Sequence, residues 1–197
     1  MTESNQIEPR VPGDENERSL LRRVAAGDVE AFKTLHQAYQ KRLFAYAMKM
    51  LGDAGAAEEL SSDVMFEVWK QARQFRGKSK VSTWIFGIAH YKTLNALRRK
   101  GPGMAVTLDQ AKTTSDRRPD PEQLAERCDM LERLETALGH LSLDHREVIE
   151  LTFYHEFSYE EIAQIMNCPV NTVKSRMFYA KQKMREVLSQ LNYAGIV

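Results

Sequence analysis

An all-α protein, two small helical domains joined by a flexible linker, is what this sequence predicts, and three observations predict it. Apolar residues recur at helical spacing through two long stretches, about residues 16–100 and 122–197, and no strand-like alternation is sustained. Between them the period fails, in GPGMAVTLDQAKTTSDRRPDP (residues 101–121), which holds three prolines and two glycines. The composition, 43% hydrophobic with 28% charged residues, is that of a folded, water-exposed chain.

Each element has a local cause. Residues 1–15 are polar, with Pro9, Pro12 and Gly13, and are expected to be a disordered tail. A first helix is expected over about residues 17–26, closed at Gly27. Asp28 caps a second, in which Phe32, Leu35, Tyr39, Leu43, Tyr46 and Met50 recur at helical spacing and which Gly52 stops. Asp53 caps a third, carrying Ala57, Leu60, Val64, Phe66 and Val68 and running to about Phe75. After the loop RGKSKV, Ser82 is the expected cap of a fourth, residues 83–100.

In the second half, Asp120 with Pro121 at the first helical position and Gln123 beyond it marks the start of a helix to about Leu141. A helix over about residues 144–155 follows. SYEE (residues 158–161) is a capping box opening a brief helix to about Met166. Residues 167–171 are expected to form a tight turn, and the last helix runs to about Leu191.

Several function classes lose their usual carriers. Cys128 and Cys168 stand alone, and none of His36, His90, His140, His145 and His155 lies three or four residues from another. There is no phosphate-binding glycine loop, no G-x-S-x-G and no H-E-x-x-H. The expectation is a protein that is not an enzyme and uses no cofactor or metal. The polar start lacks the apolar core of a secretory signal and no run of eighteen apolar residues occurs, so a cytoplasmic chain without membrane insertion is expected.

The formal net charge of +1 conceals a sorting of charge. Residues 70–100 hold nine Lys or Arg and no acidic residue, residues 53–67 hold five acidic residues and no basic one, and residues 170–185 (VNTVKSRMFYAKQKMR) hold five basic residues and no acidic one. Phosphates neutralised by Lys or Arg release condensed counterions, so the two basic zones point to nucleic acid.

In the last zone, a rotation of about 100° per residue lines up Val173, Met177, Ala180, Met184, Leu188 and Leu191 as a buried stripe. Asn171, Lys174, Ser175 and Phe178 fall on the outer face, so Phe178 is predicted to be exposed. A short capped helix, a turn and a longer helix with a basic outer face make a helix-turn-helix, whose second helix enters the major groove. There Lys174 suits guanine acceptors, Ser175 a base or phosphate, and Phe178 a thymine methyl. A helical hairpin whose exposed Phe meets another protein is the alternative.

The other basic zone interleaves charge with Trp84, Phe86 and Tyr91, with Phe75 just before it, and Trp84, Tyr91 and Arg98 share one helical face. Aromatics beside a basic track hold unpaired bases by stacking. Trp84 and Phe86 also read as core residues; the loop over residues 75–81 does so less readily.

Taken together and in this order, DAGAAEELSSDVMFEVW, FRGKSKVSTWIFGIAHYKTLNALRR and LSLDHREVIELTFYHEFSYEEIAQIMNCPVNTVKSRMFYAKQKMR resemble the bacterial sigma-70 family sigma factors, specifically the extracytoplasmic function (ECF, group IV) class. The resemblance covers about residues 20–100 and 122–191. It implies that residues 16–100 are sigma region 2, residues 101–121 a linker and residues 122–197 sigma region 4. It further implies a factor that binds core RNA polymerase at the β′ clamp helices and the β flap, recognises minus 35 and minus 10 promoter elements as duplex and single strand, and promotes strand opening. Carried over residue by residue, Glu58, Glu59, Asp63, Glu67 and Trp69 would meet the polymerase. Phe75, Arg76, Lys78, Lys80, Trp84, Tyr91, Asn95, Arg98 and Arg99 would meet the minus 10 element, and Thr172, Lys174, Ser175, Arg176, Phe178 and Tyr179 the minus 35 element. An anti-sigma factor is the implied regulatory partner. Two positions depart from the family pattern: Tyr91 stands where many relatives have Asn, and Tyr179 where some have Arg, which bears on the promoter sequence preferred.

Overall fold

A computed structural model describes residues 13–100 and 121–194. Residues 101–120 of the expected linker, the Asp120 cap among them, and all but the end of the expected tail lie outside the described residues, while Pro121 already belongs to α5. The helices are α1 (Asp14–Ala25), α2 (Val29–Leu51), α3 (Ala54–Gln71), α4 (Val81–Lys100), α5 (Pro121–Gly139), α6 (Leu143–Phe153), α7 (Tyr159–Ile165) and α8 (Val170–Ala194), with a short 3-10 turn at Ala72–Gln74. No strand occurs among the described residues.

The caps at Asp28, Asp53 and Ser158 form as the sequence predicts. The Asp28 carboxylate accepts from the N–H groups of Glu30 and Ala31, and that of Asp53 from Ala56. Gly52 ends α2 in left-handed backbone, φ 66°. In the SYEE box, Glu161 N–H donates to the Ser158 hydroxyl while Ser158 N–H donates to the Glu161 carboxylate.

Several boundaries differ, each for a physical reason. α1 begins at Asp14, so residues 14 and 15 are helical rather than tail; their carboxylates complement the positive end of the helix. α3 tightens into the 3-10 turn at Ala72 before reaching Phe75. α4 begins at Val81, ahead of Ser82, because Asp14 accepts the Val81 N–H at 3.3 Å from 67 residues away. α6 begins at Leu143, capped by Ser142, whose hydroxyl accepts from His145. α8 begins at Val170, after Asn167 has made the turn with φ 48°, so Asn171 is already helical.

Helices α1 to α4 enclose Leu21, Leu35, Leu43, Met50, Val64 and Ile85, while α5 to α8 enclose Leu151, Ile162, Val173 and Met177. The two halves meet along a seam where α6 packs on α2 and α7 on α4, giving one continuous apolar core. Phe86 of α4 is its centre, with ring centroids 5.6 Å from Tyr46, 4.6 Å from His155 and 5.0 Å from Phe157. Polar bridges surround it. The Tyr46 hydroxyl donates to the buried Glu147 carboxylate, whose same oxygen lies 2.7 Å from His90 Nδ1. Arg146, also buried, donates to the backbone carbonyls of Lys49, Leu138 and Gly139. Lys49 pairs with Glu135 at 3.1 Å.

Candidate nucleic-acid interface

On α8, the helical rotation from Val173 decides what faces outward. Val173, Met177 and Ala180 are buried, and together with Ile162, Ala163 and Met166 of the preceding helix and turn they lock α7 against α8. Lys174 and Ser175 are exposed, and so are Phe178 (65%) and Tyr179 (57%), whose rings meet edge to face at 5.5 Å. The Ser175 hydroxyl donates back to the Asn171 carbonyl at 2.9 Å, and Thr172 is half-buried. Arg176 departs from the expected DNA face. It lies three residues beyond Val173, about 60° from the buried stripe, and turns inward to pair with the Asp144 carboxylate, with the sulfurs of Met166 and Cys168 at 4.0 and 3.9 Å. Its guanidinium braces α8 against α6 and the turn. Farther along, Val187 is buried in addition to the expected stripe, while Met184, Leu188 and Leu191 are half-buried. Met184 and Leu188 line an apolar groove with Leu134, Leu138 and Phe153.

In the first half, Phe75 is half-buried and its ring lies 5.2 Å from Trp84. Arg76, Lys78, Lys80, Arg98 and Arg99 are exposed, as is Tyr91 at 65%. Trp84, Tyr91 and Asn95 line one pocket, to which α3 contributes Glu67 and Gln71 and the second half contributes Gln164. Phe75 lines another pocket with Arg18, Arg22 and Gly77. Lys80 is held by the second half: its ammonium lies 2.9 Å from Glu161, which also sits 3.5 Å from the Thr83 hydroxyl. Burial pushes the Glu161 carboxyl up, but Lys80 and the Ser158 N–H and hydroxyl outweigh it and hold it below its usual range. The same pairing holds the Lys80 ammonium above its usual range.

On α3, Glu58, Glu59 and Asp63 are exposed and Glu67 is half-buried, making an acidic face. Phe66, two residues and so roughly 200° beyond buried Val64, stands in this face 60% exposed, with the Lys70 ammonium 5.5 Å from its ring centroid. Trp69 is half-buried and turned toward α2, its ring edge-on to Phe32 at 5.1 Å. The sequence reading missed Phe66 as a surface residue, although the arithmetic that exposed Phe178 applies to it equally. Arg18 was missed because its loop partners are 59 and 61 residues away, Glu161 was read only as the SYEE cap because Lys80 lies 81 residues from it, and nothing local marks Gln164, which shares a pocket with Trp84 and Tyr91.

A helix-turn-helix with an aromatic and basic outer face, packed beside a basic loop whose Phe75 ring lies tilted against Trp84 of α4, is the architecture of a DNA-binding class of protein. The description "Sigma-70 region 2" matches residues 35–102 and "Sigma-70, region 4" matches residues 131–184. The chain is 29% identical over 185 residues to the RNA polymerase sigma-H factor of Pseudomonas aeruginosa, covering 90% of this chain and 96% of that protein. It is 30% identical over 176 residues to the ECF RNA polymerase sigma factor RpoE of Cereibacter sphaeroides, covering 82% of this chain and 88% of that one. Among solved structures it is similar to the sigma factor RpoE in complex with the anti-sigma factor NepR from Bartonella quintana, at 26% identity and a TM-score of 0.64, with 80% of this chain and 96% of that chain covered. The fold is also that of CnrH in complex with the cytosolic domain of CnrY, at 24% identity and a TM-score of 0.66 over 88% of this chain and 97% of that one. The chain therefore belongs to the sigma-70 family and, within it, to the extracytoplasmic function sigma factors of bacterial RNA polymerase.

Proposed function

We propose that residues 16–100 serve as the part that meets core RNA polymerase and the minus 10 element, and residues 122–197 as the part that meets the minus 35 element. The observation that carries this reading is the exposure of Phe178 and Tyr179 beside Lys174 on the outer face of a helix-turn-helix. With α8 in the major groove, Lys174 donates to guanine acceptors, Phe178 covers a thymine methyl, and Tyr179 takes the place of a family Arg. In the other half, Phe75 and Trp84 receive bases pulled from the non-template strand while Arg76, Lys78, Arg98 and Arg99 neutralise its phosphates. Each stacked base contributes roughly 1 to 3 kcal/mol, enough to offset unpairing. The acidic face of α3, with Phe66 at its centre, docks on the β′ clamp helices, and the second half meets the β flap.

On this reading the protein is not an enzyme: it supplies promoter specificity and traps the opened strand for a polymerase that performs the chemistry. Among the described residues no helix is long and apolar enough to cross a membrane. The seam holds Lys80 on Glu161, so the conformation described is a closed one that must open before both halves engage a promoter. An anti-sigma factor, the partner named in the RpoE and NepR complex, is the expected regulator of that opening. The test is transcription by core polymerase with and without the purified chain, mapping start sites across genomic DNA. A shared upstream motif in two blocks is expected; no core-dependent start at any promoter overturns the reading.

A further inference from the structure

The loop between the 3-10 turn and α4 carries the residues read above as base-binding, yet its own sequence gives it little to hold its shape. Apart from the Lys80–Glu161 pair, what holds it comes from α1. Arg18 donates from Nη1 to the Gly77 carbonyl at 3.2 Å and from Nη2 to the Ser79 carbonyl at 2.8 Å. Its Nε donates to Asp14 Oδ2 at 2.7 Å, which fixes the plane of the guanidinium, and its Cζ lies 5.8 Å from the centroid of the Phe75 ring. The other oxygen of Asp14 accepts the Val81 N–H, the first amide of α4. One ion pair therefore grips the loop at three successive points and touches its aromatic residue as well. Gly77 completes the fit: its φ is 70°, and a Cβ there would stand 3.0 Å from Arg18 Nη1. At its other end α1 is tied to the 3-10 turn, where Arg73 donates to the Ala25 carbonyl at 2.8 Å.

We propose that Asp14 and Arg18 are positioning residues for strand capture, holding the Phe75–Val81 loop in the shape that receives an unpaired base. The inference rests on the reading of that loop as the minus 10 site. A planar guanidinium reaches two carbonyls and a carboxylate together; an ammonium, with its donors on one atom, does not. Arg18 keeps about a third of its side chain exposed, so its removal leaves the apolar core intact.

The test uses holoenzyme assembled from core polymerase and the full chain, with a fluorescent oligodeoxynucleotide of the non-template minus 10 strand taken from start-site mapping. Arg18→Ala and Arg18→Lys are both expected to weaken strand binding about tenfold, in line with losing hydrogen bonds from a charged donor. Gly77→Ala, which pushes on the same contact, is expected to weaken it in the same direction. Affinity for core and for a minus 35 duplex should stay within about twofold, below the loss of one such bond. Full recovery by Arg18→Lys would show that charge alone suffices and overturn the proposal. So would parallel losses in core and minus 35 binding, which mark a general structural role, or unchanged strand binding in Arg18→Ala and Gly77→Ala. Wild-type holoenzyme that ignores the strand would instead sink the reading of the loop, and the inference with it, before any variant is compared.

Discussion

Tyr46→Phe should open the molecule along its seam. The hydroxyl donates to Glu147, which is 1% exposed and belongs to the other half of the chain, 101 residues away. Removing it leaves a buried carboxylate with His90 at 2.7 Å as its remaining bridge to α4. A hydrogen bond to a charged group contributes about 1.5 to 3 kcal/mol, so the ratio of closed to open molecules should fall roughly ten- to hundredfold. The ring stays, and with it the edge-to-face contact to Phe86. The control is built into the protein: Tyr39 donates to buried Glu17 at 2.6 Å in the same chemistry, but both belong to the first half. Small-angle X-ray scattering should give a larger radius of gyration for Tyr46→Phe than for wild type and no change for Tyr39→Phe, while calorimetry should find Tyr39→Phe destabilised by a similar amount. Equal destabilisation of both variants without expansion of either would refute the argument, because the Glu147 contact would then be serving the fold rather than the closure.

Phe178→Ala should weaken binding of a minus 35 duplex by about 1 to 3 kcal/mol without moving the unfolding midpoint, since the ring is 65% exposed; gel-shift titration with holoenzyme decides it. Glu161→Gln should release Lys80 and raise affinity for the minus 10 strand by a few-fold at most, the scale of a pair whose lysine is largely exposed; the gain should shrink with added salt in fluorescence titration. Phe66→Ser should lower affinity for core polymerase, read by competition with wild type, and leave promoter preference unchanged. Thermal stability should vary with pH through two buried groups of opposite sign. Burial pushes Glu150 up to about 7, against the pull of Lys49, so its contribution is complete below 4.5 and is lost as pH rises through 7. Burial, with Arg42 adding to it, pushes His155 down to about 3, so its contribution is present above 6.5 and is lost as pH falls toward 3. The two slopes oppose each other between 4.5 and 6.5, with Glu17, also pushed up by burial, acting in the direction of Glu150, so calorimetry should find only a shallow dependence there, which Glu150→Gln should tilt downward on its acid side.

The outer face of α8 was legible in the sequence because it depends on one periodicity and one buried stripe, both local. The caps at Asp28, Asp53 and Ser158 were legible for the same reason: each is a side chain bonding backbone two or three residues on. What escaped is what the chain decides at a distance. Glu147 sits in HREVIE, where the sequence shows no partner for its charge, and the approach of Tyr46 and His90 makes its burial tolerable. Arg176 carries a charge like its neighbours Lys174 and Lys181, and its inward turn follows from Asp144, which the sequence places 32 residues earlier. Asp14, in a segment that composition marks as tail, is helical because it grips both Arg18 and the start of α4.

On the proposed reading, in which the halves close and open, the make-up of the seam follows from what it must do in both states. An apolar seam of the same area would close at least as firmly, since ion pairs taken out of water seldom outperform well-packed hydrocarbon. Opened, it would leave an adhesive patch on each half. Here Glu147, Arg146, His90 and Glu150 become ordinary hydrated surface when the halves part, and the apolar loss centres on Phe86 with Phe157. His155 pushes the balance further. Its ring is buried against Phe86, neither ring nitrogen has a hydrogen-bond partner among the described residues, and the Glu150 carboxylate stays 3.6 Å away. An unsatisfied buried polar group costs about 1 to 3 kcal/mol, a cost that hydration removes on opening. On the proposed reading, the closed form carries this penalty beside strong specific bonds such as Tyr46 to Glu147, a combination that suits an interface released when a competing surface binds either half.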